Sequence, residues 1–239
     1  MSEARALLRR YLAQRGELGE RELVLGDLSA EEMVELLAER ETPVLGTAIT
    51  DAEVVQIGSL DALREIALSC PRCRLAETRT QVVFGEGNPS ANLVVVGEAP
   101  GADEDRTGLP FVGRAGKLLD LLLASIGFPR DEVYICNVLK CRPPGNRNPQ
   151  PEEIAACSPY LLRQIEFVAP RAILAIGTFP AQTLLGTTES ISRLRGTVQH
   201  FHGVPLVATY HPAALLRNSS WVRPVWEDLQ RLRHILDEG

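Results

Sequence analysis

Residues 93–101 read Leu-Val-Val-Val-Gly-Glu-Ala-Pro-Gly, a continuous apolar run that ends in a turn rich in glycine and proline. Further apolar runs occupy residues 133–136, 172–176 and 206–209. Predicted helices cover residues 59–69, 114–126, 151–168, 178–185 and 221–236. Short apolar strands that alternate with helices are typical of a parallel sheet covered on both faces. We therefore predict the α/β class, as a three-layer α/β/α sandwich with a central four-stranded parallel sheet.

Polar motifs follow each predicted strand. They are Gly97–Gly101, Asn137, Gly177-Thr178 and Tyr210-His211-Pro212. In open α/β sheets ligands bind outside the carboxyl ends of the strands, so we expect these motifs to converge on one crevice. The first motif lacks the signatures of a dinucleotide-binding loop and of a Walker loop. The alternative to a ligand contact there is a tight turn between strand and helix.

Three side chains near these motifs are candidates for holding a flat polar ring. Phe111 lies between proline and glycine residues, where a ring can form a stacking platform, although a single phenylalanine is more often a core residue. The Asn137 amide offers a donor and an acceptor side by side, which complements a uracil edge; the alternative is a turn cap. His211 precedes Pro212, which fixes the backbone, and its imidazole could donate to an oxyanion on a leaving group, although most single histidines have no such role.

Four of the five cysteines have the spacing of a metal site. Cys70 and Cys73 form a Cys-x-x-Cys pair, and Cys141 and Cys157 follow on later segments. Four thiolates suit an iron-sulfur cluster or a zinc ion. Structural zinc usually takes two such pairs and this chain has one, so we favour the cluster. Cys136 lies within a predicted strand, where we expect an apolar core residue.

The acidity of the chain is concentrated in its N-terminal quarter. The formal net charge is −6; residues 1–60 contain 6 basic and 12 acidic side chains, whereas residues 61–239 contain 19 of each. We assign residues 1–58 to an acidic, mainly helical extension with helices at 2–15 and 29–40, and residues 59–239 to a second domain. The neutral balance of that domain is weak evidence about nucleic acid: a non-specific DNA coat is usually basic, whereas a small enzyme that binds a few phosphates need not be.

The sequence contains no signal of membrane insertion or export. It has no run of about 18 apolar residues, and its N-terminus leads into a charged helix instead of a signal-peptide core. In a reducing compartment cysteines are more often ligands, reactive thiols or core residues than disulfides. We therefore expect a cytoplasmic protein.

Taken together, these segments resemble the family 4 uracil-DNA glycosylases, the iron-sulfur branch of the uracil-DNA glycosylase superfamily. The resemblance covers roughly residues 60–237. It rests on Cys70-x-x-Cys73, Gly97-Glu98-Ala99-Pro100-Gly101-x-x-Glu104-Asp105, Pro110-Phe111-Val112-Gly113, Asn137-Val138-Leu139-Lys140-Cys141-Arg142-Pro143-Pro144, Asn146-Arg147, Cys157 and His211-Pro212-Ala213-Ala214. So many motifs in the same order are not expected by chance.

The resemblance implies a cofactor, a reaction and a site. The cofactor is a 4Fe-4S cluster with a structural role, held by Cys70, Cys73, Cys141 and Cys157. The reaction is the excision of uracil from DNA, with the base flipped out because a buried base cannot be reached in the duplex. Phe111 would stack on uracil, Asn137 would read its edge, and His211 would stabilise charge at O2 as the glycosidic bond breaks. The implied uracil-binding residues are Gly97, Ala99, Gly101, Phe111, Asn137 and His211.

Two positions depart from better-known relatives. In those relatives an Asp that orients the water occupies the position of Ala99, and a Tyr that repels the methyl group of thymine occupies that of Gly101. Alanine cannot bind water through its side chain, so Glu98 and Glu104 are candidates for this role. We expect Asn146 to position Glu104 by a hydrogen bond. The implied catalytic residues are therefore His211, Asn137, Glu98 and Glu104.

The implied partner is uracil-containing DNA, single- or double-stranded, bound by a monomer. We expect Leu215 to fill the vacated stack, and Arg217 or Arg147 to contact phosphate. A related branch captures uracil covalently through a histidine in the loop after the Asn-bearing strand. Residues 141–150 contain no histidine, so we expect turnover. Residues 1–58 are a candidate attachment to replication or repair proteins.

The alternative function is a non-catalytic, metal-stapled DNA-binding module associated with replication or repair proteins. The presence of Phe111, Asn137 and His211 argues against it, because a mere binder needs none of them. An electron-transfer protein is a second alternative, and the absence of a flavin or nicotinamide signature in the sequence argues against that class.

Overall fold

A computed structural model of the chain describes residues 50–238, so the helices predicted at 2–15 and 29–40 lie outside the described residues. The described residues belong to one compact unit, Ala48–Gly239. Within it six strands form one sheet. They are β1 (Glu86–Gly87), β2 (Leu93–Gly97), β3 (Tyr134–Asn137), β4 (Ala172–Ile176), β5 (Val198–Phe201) and β6 (Val204–Thr209).

The order of the strands across the sheet is β1-β3-β2-β4-β6-β5. The four central strands are parallel, which confirms the predicted sheet. The edge strands β1 and β5 pair antiparallel with β3 and β6 and were not predicted. Strand β1 has two residues and β5 is half exposed, so neither presents a continuous apolar run.

Helices follow most of the strands. In the described residues they are α1 (Asp51–Val55), α2 (Leu60–Leu68), α3 (Ala102–Thr107), α4 (Arg114–Ser125), α5 (Pro151–Val168), α6 (Thr178–Leu185), α7 (Ile191–Leu194), α8 (Pro212–Leu215) and α9 (Val222–Glu238). The five predicted helices correspond to α2, α4, α5, α6 and α9, and they agree within two residues at each end. None of the helices in this part of the chain is long and apolar enough to cross a membrane.

The sheet separates two apolar cores, which makes the three predicted layers. Side chains that alternate along β2 go to opposite faces: Val94 and Val96 belong to the core that contains residues of α2 and α5, and Leu93 and Val95 to the core with residues of α4 and α9. All residues of β2, β3 and β4 are buried. Burial on both faces explains why these strands are apolar throughout.

The described unit begins before the predicted domain boundary at residue 59. Val54 of α1 is fully buried and Ile57 is 8% exposed, and both belong to the same core as α5. Arg163 of α5 donates a hydrogen bond to the carbonyl oxygen of Ile57. The segment from Asp51 to Ile57 is therefore part of the sandwich that carries the site.

Candidate active site

A cavity of about 440 Å³ opens at the carboxyl ends of the parallel strands. Its walls come from the segments that follow β2, β3 and β6, together with Phe111 and Ala115 at the start of α4. The predicted site residues that line it are Glu98, Ala99, Gly101, Glu104, Phe111, Asn137, Arg147, His211 and Arg217. Motifs that are far apart in sequence therefore meet in one crevice, as the strand pattern indicated.

Asn137 lies at the base of the cavity. It ends β3, pairs in register with Gly97 of β2, and is 1% exposed. Its Oδ1 atom has no hydrogen-bond partner among the described residues. Leaving a buried polar atom unpaired costs about 1–3 kcal/mol, so such an atom in a cavity indicates a ligand that supplies the missing donor.

The ring of Phe111 lies beside Asn137 and is held by its own backbone. Phe111 has a φ of 52°, an uncommon value for a bulky residue, and its side chain is 7% exposed. Arg130 donates to the carbonyl oxygens of Pro110 and Phe111, and it also pairs with Glu86 and Asp120. These contacts hold the backbone of Phe111 in this uncommon conformation, and the residue lines the wall of the cavity.

His211 faces the ring of Phe111, with 5.7 Å between the ring centroids. The backbone N–H of Ala213 donates to Nδ1 of His211 over 3.1 Å, so the neutral imidazole carries its proton on Nε2. Burial, and next the positive charge of Arg217, lower the pKa of His211 to about 4. The side chain is therefore a neutral N–H donor near pH 7.

The two predicted glutamates have different environments. Glu104 Oε1 accepts from the backbone N–H groups of Val112 and Gly113, each over 3.0 Å, and Oε2 accepts from that of Gly101 over 3.1 Å. This carboxylate thus connects the turn after β2 to the segment that follows Phe111. The carboxylate of Glu98 makes no hydrogen bond among the described residues, lines the cavity, and has its pKa raised by burial.

The expected hydrogen bond between Asn146 and Glu104 is wrong. Oδ1 of Asn146 accepts from Nε of Arg142 over 2.7 Å, and Glu104 is occupied by backbone donors. Asn146 still lines the cavity. Its own φ of 55° places it in a tight turn, which orients its side chain toward Arg142 instead.

The four cysteines of the predicted metal site line a second cavity. Cys70 and Cys73 follow α2, Cys141 follows β3, and Cys157 lies in α5. No group of three or more Cys, His, Asp or Glu side chains in the described residues is placed to hold a metal ion as it stands. Cys136 is fully buried within β3 and does not line this cavity, as expected for a core residue.

The second cavity fits an anionic sulfur-bound group. It is lined by Arg72, Arg79 and Lys140 and by no carboxylate. Arg79 Nη1 lies 3.4 Å from Cys141 Sγ. Two further buried donors, Nη1 of Arg72 and Oη of Tyr160, have no partner among the described residues. Thiolate and sulfide sulfurs are the acceptors that such donors lack, so the donor set fits an iron-sulfur cluster.

Comparison with known proteins identifies the family. The model of the Uracil DNA glycosylase superfamily matches residues 84–230, more than half of the chain. The chain belongs to this superfamily. A Type-4 uracil-DNA glycosylase of Archaeoglobus fulgidus is 51% identical over 164 residues, which cover 65% of this chain and 82% of that protein. The Type-4 enzyme of Thermotoga maritima is 45% identical over 181 residues (74% and 94%), and that of Sulfurisphaera tokodaii 42% identical over 186 residues (74% and 84%).

Leu215 of this glycosylase does not suit the predicted role of filling a vacated base stack. It is 6% exposed and belongs to the core shared with α9. A residue that enters DNA must project from the surface. The next residue, Leu216, is 46% exposed. Two adjacent leucines give no sequence signal of which one faces outward.

The two arginines that were predicted to contact phosphate differ in their surroundings. Arg147 of the glycosylase forms a two-pronged ion pair with Glu153, at 2.9 Å and 2.6 Å, and the Glu153 side chain is fully buried. The guanidinium of Arg147 is therefore already paired within the protein. Arg217 is exposed at the rim of the cavity and makes no hydrogen bond or ion pair with any residue that the structure describes. Arg217 alone of the pair is available to a phosphate.

Proposed function

We propose that this chain hydrolyses the N-glycosidic bond of uracil in DNA, with the extruded base held among Phe111, Asn137 and His211. The observation that carries the proposal is the unpartnered, buried Oδ1 of Asn137, a residue that lines the same cavity as Phe111 and His211. The N3–H group of uracil would donate to Oδ1, and the Asn137 side-chain N–H would donate to O4. The kinship with Type-4 uracil-DNA glycosylases supports the same reaction.

In this proposal His211 stabilises the leaving group. When the bond between C1′ and N1 breaks, its electron pair passes to uracil and is shared with O2. The Nε2–H of a neutral imidazole donates to that oxygen, because Nδ1 is occupied by the Ala213 N–H. A donor aimed at charge that develops in the transition state accelerates the bond-breaking step. The lowered pKa of His211 supports a neutral donor at working pH.

Glu98 is the group that we assign to the water. A water oxygen forms the new bond to C1′, and its proton passes to the Glu98 carboxylate and then to solvent. Ala99 offers no polar side chain, and the oxygens of Glu104 are engaged by three backbone N–H groups. Burial raises the pKa of Glu98 and so makes its carboxylate a stronger base than an exposed one.

We propose further that Cys70, Cys73, Cys141 and Cys157 hold a 4Fe-4S cluster. When bound, the cluster supplies iron–thiolate bonds that cross-link α2, α5 and the segment after β3. Cys141 begins the segment 141–150, of which Pro143, Asn146, Arg147 and Asn148 line the uracil cavity. With the cluster bound, these cysteines would hold one wall of the site in place. The described residues of one chain supply the whole candidate site, which supports action as a monomer.

The test uses a single-stranded and a duplex oligonucleotide, each with one uracil, followed by alkali to cleave abasic sites. We expect cleavage with the wild type and its loss with Asn137→Ala. The matched control is Asn92→Ala, because the Asn92 side chain is exposed and makes no hydrogen bond in the described part of the chain. No cleavage of either substrate by protein that contains its iron would favour the non-catalytic DNA-binding module. Four iron atoms per chain, without zinc, would support the cluster.

A further inference from the structure

The chain contains two lysines among 25 basic residues, and they have opposite environments. Lys117 is exposed on α4, whereas Lys140 is 2% exposed and lines the cavity of the four cysteines. We propose that Lys140 is a positioning residue that connects the cysteine site to Asn137, so that filling of the cysteine site and recognition of uracil are coupled. The inference rests on the proposed role of Asn137.

The ammonium group of Lys140 holds the main chain of Asn137. Nζ donates to the Asn137 carbonyl oxygen over 2.6 Å and to Oε1 of Gln164. Gln164 is itself fixed, because its Nε2 donates to the carbonyl oxygen of Phe84 and to Oη of Tyr134. Hydrogen bonds from a charged donor are stronger than neutral ones, so this contact restrains the peptide from which the uracil-reading amide projects.

The backbone of the same residue contacts the cysteine site. The Lys140 N–H donates to Sγ of Cys157 over 3.3 Å, and Lys140 is joined directly to Cys141. Its carbonyl oxygen accepts from the Val83 N–H over 2.8 Å. A shift of the cysteine ligands therefore moves Lys140, and through Nζ it moves Asn137.

The positive charge of Lys140 also links it to the cysteine site. No carboxylate pairs with Lys140 among the described residues; the groups of potential negative charge that face it are the thiols of Cys136, Cys141 and Cys157. A buried ammonium without a counter-ion is unfavourable. An iron-sulfur cluster held by four thiolates carries net negative charge and would supply the counter-ion. A compact ammonium suits this position, because its three N–H donors can reach two oxygens and still face the cavity of the four cysteines.

The variant to test is Lys140→Met, with Lys117→Met as the matched control at the other lysine. We expect kcat/KM on single-stranded uracil DNA to fall about 10- to 100-fold in Lys140→Met, the usual effect of removing a partner that orients a ligand-binding group. Affinity for DNA that carries an abasic-site analogue should stay within about twofold, because that DNA makes no contact with Asn137. Equal kcat/KM in the two variants, or a parallel loss of affinity for abasic DNA, would overturn the proposal.

A second measurement uses the wild-type protein, so it does not depend on whether a variant folds. Protein labelled with ¹⁵N in lysine has two Nζ signals. In the iron-containing protein we expect one of them to be protected from solvent exchange, to move when free uracil is added, and to change when iron is removed by a chelator. The Lys117 signal should respond to neither. A Lys140 signal that ignores both treatments would refute the coupling, even if uracil release is normal. Absence of uracil release by the wild type would refute the proposed function and leave the response to iron as a separate result.

Discussion

Gly97 and Asn137 lie side by side at the ends of β2 and β3, and the space between them does not admit a methyl group. A Cβ atom at residue 97 would lie 2.4 Å from Oδ1 of Asn137 and 2.5 Å from Cζ of Phe111. The bare backbone of Gly97 thus allows the amide and the ring to meet at one point. The geometry of this wall of the cavity depends on the absence of a side chain at residue 97.

We expect Gly97→Ala to lower the single-turnover rate about 100-fold, because the new methyl group must displace the amide or the ring by a good part of an ångström. The measurement is single-turnover uracil release from a single-stranded oligonucleotide. Gly58→Ala is the control, since nothing lies within 4 Å of a Cβ at residue 58 and its φ is not in the left-handed region. Wild-type kinetics in Gly97→Ala would contradict the close packing of the cavity.

The sequence predicted the parts of the fold that depend on local pattern. The runs at 93–96 and 172–176 are apolar because both faces of the sheet are covered, and that pattern is visible in the chain itself. Strand β5 was not predicted because it lies at an edge of the sheet, where half-exposed residues replace the apolar run. Pairing at an edge depends on the neighbouring strand, which the local sequence does not encode.

The site was predictable where strand ends bring motifs together, and not where packing selects among neighbours. Asn137 and His211 line one cavity because the strands that they end or follow are parallel, and Phe111 reaches it from the segment between α3 and α4. Whether Leu215 or Leu216 faces outward is decided by the packing of α8 against α4, which is distant in sequence. The availability of a side chain is a tertiary property, which motif spacing does not reveal.

These two leucines give a prediction with an internal control. We expect Leu216→Ala to slow uracil release from duplex DNA more than from single strands, because a stack is vacated only in the duplex, and to leave thermal stability unchanged. Leu215→Ala should instead lower the free energy of unfolding by about 2–5 kcal/mol, as for other buried leucines. Paired activity assays and denaturant titrations measure both effects. The reverse pattern would restore Leu215 as the residue that enters the DNA.

Glu98→Gln keeps the shape of the side chain and removes the proposed base. We expect the single-turnover rate to fall about 10²- to 10⁴-fold, the range for loss of a general base, with little change in affinity for uracil DNA. Glu189→Gln serves as the control because Glu189 is exposed on the segment between α6 and α7. A normal rate in Glu98→Gln would contradict the role of Glu98 as the base. Main-chain groups of the turn after β2 would then be the candidates for positioning the water.

The pKa of His211 predicts how rate and stability depend on pH. The folded value of about 4 lies below the ordinary value of 6.5, so His211 is neutral in the folded protein above about pH 4. Uracil release should therefore not decline between pH 8 and pH 5 through protonation of this residue. Between about pH 6.5 and pH 4 the unfolded chain binds a proton that folded His211 does not, so the free energy of unfolding should fall as the pH falls through this window.

Denaturant titrations at pH 7.5 and pH 5 test the stability effect. The loss between the two pH values should be smaller in His211→Asn than in the wild type, whereas His234→Gln, at an exposed site on α9, should retain it. A chemical-shift titration of the His211 ring gives the pKa itself. A midpoint near 6.5 would mean that burial does not lower the pKa of His211 and that half of the imidazole is charged at pH 6.5, which would contradict the expected flat rate between pH 8 and pH 5.

Arg217 and Arg147 should respond differently to salt, because only Arg217 is free to neutralise a phosphate. Each phosphate contact contributes nearly one unit to the slope of log K against log salt concentration. We expect Arg217→Ala to reduce this slope by about one for binding of an abasic-site duplex, with unchanged stability. Arg147→Ala should keep the slope and lower the free energy of unfolding, because it removes the closest cationic partner of the buried Glu153, whose pKa the arginine holds at about 2. Equal slopes for wild type and Arg217→Ala would show that the guanidinium at the rim of the cavity does not contact the DNA backbone.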